Sequence, residues 1–170
     1  MTEKWDLYTC DRRLTGLEHT RGEEIPAGYF HLVVHVWIRN DKGEYLISRR
    51  SASRKKMPLM WECVGGSALK GENSLEAALR EVKEEVGIEL CPEKGRMISS
   101  VTGRVIDGRK RGDIVDVWLF DFDGVFDLSK ASTDEVEQAH WMTKQQVKQL
   151  LDSGEMVSSL GYFLDDPSFG

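Results

Sequence analysis

Cysteine, long apolar runs and positive charge are all in short supply in this chain. Its three cysteines, Cys10, Cys63 and Cys91, are odd in number and show no CxxC spacing. That pattern excludes a disulfide scaffold and a cysteine-clustered zinc site. No apolar run is long enough for a membrane span or a signal segment, so a reducing cytoplasm is the expected location. A formal net charge of −6 argues against broad capture of nucleic acid. Any anionic substrate would therefore need a neutralising group at its site. Internal repeats and low-complexity linkers are also missing.

What is present is enough apolar sequence, 40% of 170 residues, to bury one sizeable core. One domain over 1–170 is expected, with an N-terminal arm or hairpin over 1–27, a core over 28–156 and a C-terminal tail over 157–170. Tyr29 to Ile38, "YFHLVVHVWI", is β-branched and aromatic, and "NDKG" turns it into "EYLISRR", which reads as a hairpin. "RSASRKKMPLMW" has no clean period and reads as a basic loop leading to a short strand over 61–64. "MISSVTGRVI" and "DIVDVWLFDF" flank "DGRKRG" as a second hairpin, and "QAHWM" is a late strand. Thr143 and Gln146 form a capping box for the amphipathic "KQQVKQLLDSG". Hairpins alternating with two helices predict an α/β fold, a mixed sheet between helices.

The chemistry concentrates in "GGSALKGENSLEAALREVKEEVGI", residues 65–88. Asn73 with Glu76 makes a capping box, and Leu75, Ala78, Leu79, Val82 and Val86 share one helical stripe. Glu81, Glu84 and Glu85 crowd a different face. Like charges at these spacings cost a few tenths of a kcal/mol each when exposed, so a solvated acidic face is one reading and a cation site is the other.

Gly66, Glu72 and the run Arg80-Glu81-Val82-x-Glu84-Glu85-x-Gly87-Ile88 match every fixed position of the signature GX5EX7REUXEEXGU, where U is a bulky aliphatic residue. In this the chain resembles the Nudix hydrolase family. The resemblance implies an α/β/α sandwich with a mixed sheet, and a divalent cofactor, Mg2+ or Mn2+, bound by Glu81, Glu84, Glu85 and the carbonyl of Gly66. It implies hydrolysis of a nucleoside diphosphate linked to another moiety, with a small-molecule diphosphate as partner. Hard cations of this kind prefer oxygen donors, which carboxylates one helical turn apart supply from one scaffold. The resemblance further implies that Glu81 is a ligand or general base and that Arg80 pairs with Glu72 or orients the glutamates, so Arg80 and Glu72 stand with Glu81 as candidate catalytic residues. Glu135 and Glu137, in a loop expected to be mobile, are the alternative bases.

Arg49, Arg50, Arg54, Lys55 and Lys56 precede the signature as candidates for distal phosphates, against the alternative of a solvated basic loop. Accessory prolines or tyrosines that separate some Nudix subfamilies are missing downstream, so the nucleotide and its partner moiety stay open. "MPLMWECVGG" is also similar to isopentenyl diphosphate isomerase, whose chemistry needs a cysteine immediately before the signature glycine. Gly65 stands there, and Cys63 reads as a small buried hydrophobe. A non-catalytic nucleotide sensor is a further alternative, although such proteins usually lose signature glutamates that this chain keeps. His31, His35 and His140 lie on expected strands with no clustered partner and read as structural. The arm before Gly28 could pair across a homodimer or cover an edge within one chain.

Overall fold

The structure, a computed structural model, describes residues 2–106 and 108–170. Its centre is a seven-stranded mixed sheet. The main path runs β11 (Val136–Met142), β4 (Tyr45–Arg50), β3 (His31–Arg39), β10 (Asp113–Asp121) and β7 (Gly95–Thr102), with β5 (Trp61–Glu62) beside β4 and β6 (Val64–Ser67) beside β3. Among the strand pairs of the described residues only β3 and β10 run parallel. The N-terminal strands β1 (Lys4–Tyr8) and β2 (Leu14–Thr20) form a separate hairpin, and β8 (Val105–Ile106) pairs with β9 (Arg109–Lys110). Asp107, at the head of the turn expected before β10, and Met1, in the expected arm, lie outside the described residues.

Helix α1 (Ser74–Val86) covers one face. Its start is the expected box: the Asn73 side chain accepts from the Glu76 amide at 3.0 Å, while Glu76 accepts from the Asn73 amide at 2.9 Å. Its end is a left-handed Gly87, φ +70°, whose amide donates to the Lys83 carbonyl. Such a backbone favours a residue without Cβ. Ala77, Ala78, Val82 and Val86 are buried against Leu32, Val34, Val36 and Ile38, which alternate along β3.

Helix α2 (Lys144–Asp152) and the C-terminal segment cover the other face, against Trp37, Tyr45, Ile47, Val115 and Leu119. Here the expected tail over 157–170 is corrected. Its short helix α3 (Tyr162–Asp165) and flanking turns bury Leu160, Phe163 and Phe169 completely or nearly so, and these residues belong to the core. Three aromatic rings, Tyr162, Phe163 and Phe169, justify the ordering of a segment with no clear period, since each removes a large apolar area from water.

The first expected hairpin is also modified. β3 and β4 share only the pair Arg39 and Tyr45, because β6 takes the place beside β3 from Val33 to Val36. The splayed strands open the sheet where the signature loop enters. No helix among the described residues is long and apolar enough to cross a membrane.

Candidate active site

Arg80 is the hub of the signature. Its Nε and Nη2 donate to the two carboxylate oxygens of Glu72 at 2.7 and 3.0 Å, a bidentate pair. Nη2 also donates to the Ser67 carbonyl at 3.0 Å. Nη1 reaches Glu81 at 2.9 Å and Glu84 at 3.0 Å. The one side chain thus touches both Glu72 and the helix glutamates. Glu72 additionally accepts from the Leu69 amide at 2.8 Å, which ties the loop before α1 to the helix. Burial alone would raise the Glu72 carboxyl, but the Arg80 and Leu69 hydrogen bonds outweigh it and hold the group below its ordinary value.

The three glutamates do not share one environment. Glu84 is 38% exposed at its side chain, Glu81 only 12%, and Glu85 is buried beside Val82 and Val86. Burial raises Glu81 to about 7 against the pull of Arg80, with Glu84 and Glu135 adding to the rise. Glu85 lies well above its ordinary value for the same first reason, reinforced by Glu81, Glu62 and Glu135. Its Oε2 has no hydrogen-bond partner. An ionised carboxylate left so costs several kcal/mol, so the position calls for a cation or a proton.

Gly66 explains how Glu81 fits. A Cβ built on Gly66 would overlap the Glu81 carboxylate, so only glycine lets the two approach. Among the described residues no group of three or more His, Cys, Asp or Glu side chains converges on one cation position. The positive group between Glu81 and Glu84 is Arg80 Nη1. The fit to a hard divalent ion rests on the bare Glu85 oxygen, the carboxylate pressed on the Gly66 backbone and an all-oxygen donor set.

The basic residues expected to meet substrate are engaged elsewhere. Arg49 pairs with Glu137 at 3.2 Å, Arg50 with Glu62 at 2.6 Å, and Arg54 with Glu135, whereas Lys55 and Lys56 are exposed. The loop of Glu135 is fastened rather than free: the Ser132 amide donates to the Glu84 carbonyl at 2.9 Å and the Ser51 amide to the Glu135 carbonyl at 2.8 Å. Glu62 escaped the sequence reading. The available signal was a carboxylate inside the apolar stretch "LMWECV", which must find a cation if buried. Burial raises its carboxyl in spite of Arg50.

Cys63 is buried, and burial pushes its thiol well above the ordinary value, as an inert small hydrophobe requires. A Cβ on Gly65 would collide with the Val34 carbonyl oxygen, so the position that carries cysteine in the isomerase has no room for a side chain here. His31 bonds the Gly112 carbonyl and stacks on Trp5. His35 bonds Tyr162, and His140 is exposed.

The profile of the NUDIX domain matches residues 29–160. An uncharacterized Nudix hydrolase of Listeria monocytogenes is 37% identical over 156 residues, 91% of this chain and 88% of the relative. Among solved structures, DR0079 of Deinococcus radiodurans shares the fold with a TM-score of 0.70 at 24% identity, covering 91% of this chain and 92% of that one. An isopentenyl-diphosphate Delta-isomerase of Escherichia coli is 32% identical over 91 residues, which span 53% of this chain and 41% of the isomerase.

Proposed function

The chain belongs to the Nudix hydrolase family, and on that basis we propose that it is a divalent-metal-dependent enzyme that hydrolyses the diphosphate linkage of a nucleoside diphosphate derivative or related organic diphosphate. The observation that carries this reading is the unpartnered Oε2 of buried Glu85 beside a Glu81 pressed against Gly66. Glu81, Glu84, Glu85 and the Gly66 carbonyl would hold Mg2+ or Mn2+. When bound, the cation supplies neutralisation of the diphosphate oxygens and activation of water.

The chain's own groups do the rest. Glu72 fixes Arg80, and Arg80 fixes Glu81 and Glu84, so the carboxylates are oriented before substrate arrives. Glu81, raised to about 7, suits the role of accepting the proton of the attacking water. Water then adds to one phosphorus as the bridging oxygen leaves with the other. A cytoplasmic location fits three free cysteines. The isomerase alternative lacks its acid at Gly65.

The test is phosphate release from a panel of diphosphates with and without Mg2+, in the native chain and in Glu84→Gln and Glu85→Gln. Release should require the cation and fall by a factor on the order of 10³ in each variant. Undiminished turnover in both variants would remove the metal-site reading.

A further inference from the structure

A cavity of about 110 Å³ lies against the other side of the Gly66 backbone from Glu81. Val33, Cys63, Val157 and Leu160 give it its apolar side, the last three from the core of the α2 face and Val33 packed against it, while His35, Glu62 and Ser159 add polar groups. Gly66 and Glu62 line it too, so it lies next to the acidic cluster. A diphosphate held at the carboxylates would direct its organic end there.

We propose that this cavity receives the organic end of the substrate, and that the substrate is therefore a diphosphate ester of a compact, uncharged group of about five heavy atoms rather than a nucleoside diphosphate derivative. This rests on the hydrolase reading and narrows it to one substrate class.

Size is the first argument. A cavity of about 150 Å³ just admits benzene, so 110 Å³ suits about four or five heavy atoms. Pockets for nucleotide-sized ligands run to roughly 300–1,000 Å³. The walls are also fixed. Met156 bridges to Trp61, the Val157 amide donates to the Trp61 carbonyl at 2.9 Å, and the Trp61 amide donates to the Glu155 carbonyl at 2.9 Å. Behind them the Tyr162 hydroxyl accepts from Trp37 Nε1 at 3.0 Å, which leaves its own proton for His35 Nδ1 at 2.9 Å. Phe163 stacks on Trp37 with centroids 4.3 Å apart. Widening the cavity to fit a base would break these contacts together.

Chemistry is the second argument. The only ring lining the cavity is His35, which already stacks on Tyr162, so no free aromatic face is offered to a nucleobase. Burial pushes His35 down to about 3, so it carries no charge at working pH, and the one carboxylate of the lining, Glu62, is already paired with Arg50 at 2.6 Å. The guanidiniums of Arg49, Arg50 and Arg54, which could hold further phosphates, are each paired with a carboxylate.

The experiment measures inorganic phosphate released from the full chain with Mg2+ and 3-methylbut-3-enyl diphosphate, its ten-carbon homologue geranyl diphosphate, ethyl diphosphate and CDP; ADP-ribose is followed by phosphatase-coupled release. For the esters, water forms the new P–O bond to the terminal phosphorus, the anhydride P–O bond breaks, and the monophosphate ester leaves. The five-carbon ester should exceed CDP, ADP-ribose and the ten-carbon ester in kcat/KM by at least about tenfold. Leu160→Ala should raise the ten-carbon to five-carbon ratio, and Val33→Leu should lower the five-carbon to ethyl ratio. Preference for CDP or ADP-ribose, or ratios unmoved in both variants, would overturn the substrate class and leave the hydrolase reading standing. No turnover of any compound in the panel would remove both.

Discussion

Along β3, Val34, Val36 and Ile38 point toward α1, whereas His35 and Trp37 point toward the C-terminal segment, and what the two sets meet differs in kind. On the α1 face the aliphatic packing gives way, at the edge, to carboxylates that the fold buries without fully satisfying: Glu81 is mostly buried and Glu85 keeps a bare oxygen. On the other face, rings close over the sheet and the polar tips of Tyr162 and Trp37 find each other. One face carries an energetic defect at the place where chemistry is proposed. The other carries the packing that makes the defect tolerable. Local strain of this kind persists only when the surrounding structure over-determines it.

The contrast is sharpest, and most easily broken, at Phe163. This ring is fully buried, stacks on Trp37 and meets Tyr45 edge-on at 4.9 Å. Phe163→Ala should cost about 3–5 kcal/mol in urea denaturation, the range for a large buried aromatic. A loss below about 1.5 kcal/mol would mean that the C-terminal segment is a peripheral strap, as its sequence suggests.

That segment also shows where the sequence was legible and where it was not. Helix α1 was readable because its capping box, apolar stripe and terminal glycine are all local. Strands over 29–38, 44–50, 97–106 and 113–122 were readable from composition and turn signals, and the structure places them within a few residues, except that the third ends at Thr102 and Val105–Ile106 pairs separately. The insertion of β6 beside β3 was not readable, because strand neighbours separated by some thirty residues leave no local mark. "GYFLDDPSF" mixes rings, acids and a proline over too few residues to show a period, so its burial depends on a partner surface built elsewhere. At the site, the contact of Arg80 with Glu72 or with the helix glutamates was expected from the family resemblance. The partners of Arg49, Arg50 and Arg54 were not, since Glu137, Glu62 and Glu135 approach them only through sheet pairing. The glutamate crowding suggested one acidic face, whereas proximity to Val82 draws Glu85 into the core.

The two faces should also respond to pH in opposite directions. Without divalent cations, Glu81 moves from an ordinary 4.5 to about 7 on folding, and Glu85 moves in the same sense. The folded state then holds more protons than the unfolded one, so this contribution is complete below about 4.5 and is lost as pH rises through 7. For Glu81 it amounts to about 3 kcal/mol. His35 falls from 6.5 to about 3, so its contribution is present above 6.5 and lost as pH falls toward 3. In EDTA, denaturation of Glu81→Gln relative to the native chain should therefore gain about 3 kcal/mol between pH 4.5 and 8, apart from a constant offset. His35→Gln should instead flatten the acid side. Parallel stability curves for both variants would erase the distinction between the faces.

The smallest expected effect bears on which carboxylate of the α1 face accepts the proton. Glu81, Glu135 and Glu137 are the candidates, and of the last two, both expected in a loop, only Glu135 lies outside a strand, since Glu137 is on β11. A base needs hydrogen-bond reach to the attacking water and an acidity matched to the working pH. Glu81 sits at about 7 on the helix that also presents Glu84 and Glu85, with one oxygen oriented by Arg80. Glu135 and Glu137 are each held in an ion pair, by Arg54 and Arg49, and both are 29% exposed at the side chain. Each is committed to its ion pair, and removing it costs little more than that pair, at most about 1 kcal/mol. At saturating Mg2+ and substrate, Glu81→Gln should lower kcat by roughly 10²-fold or more. Glu135→Gln and Glu137→Gln should lower it by no more than about fivefold, the equivalent of that ion pair. If either of these two variants loses more than Glu81→Gln, the proton acceptor lies at the start of β11, and the buried helix carboxylate serves the cation alone.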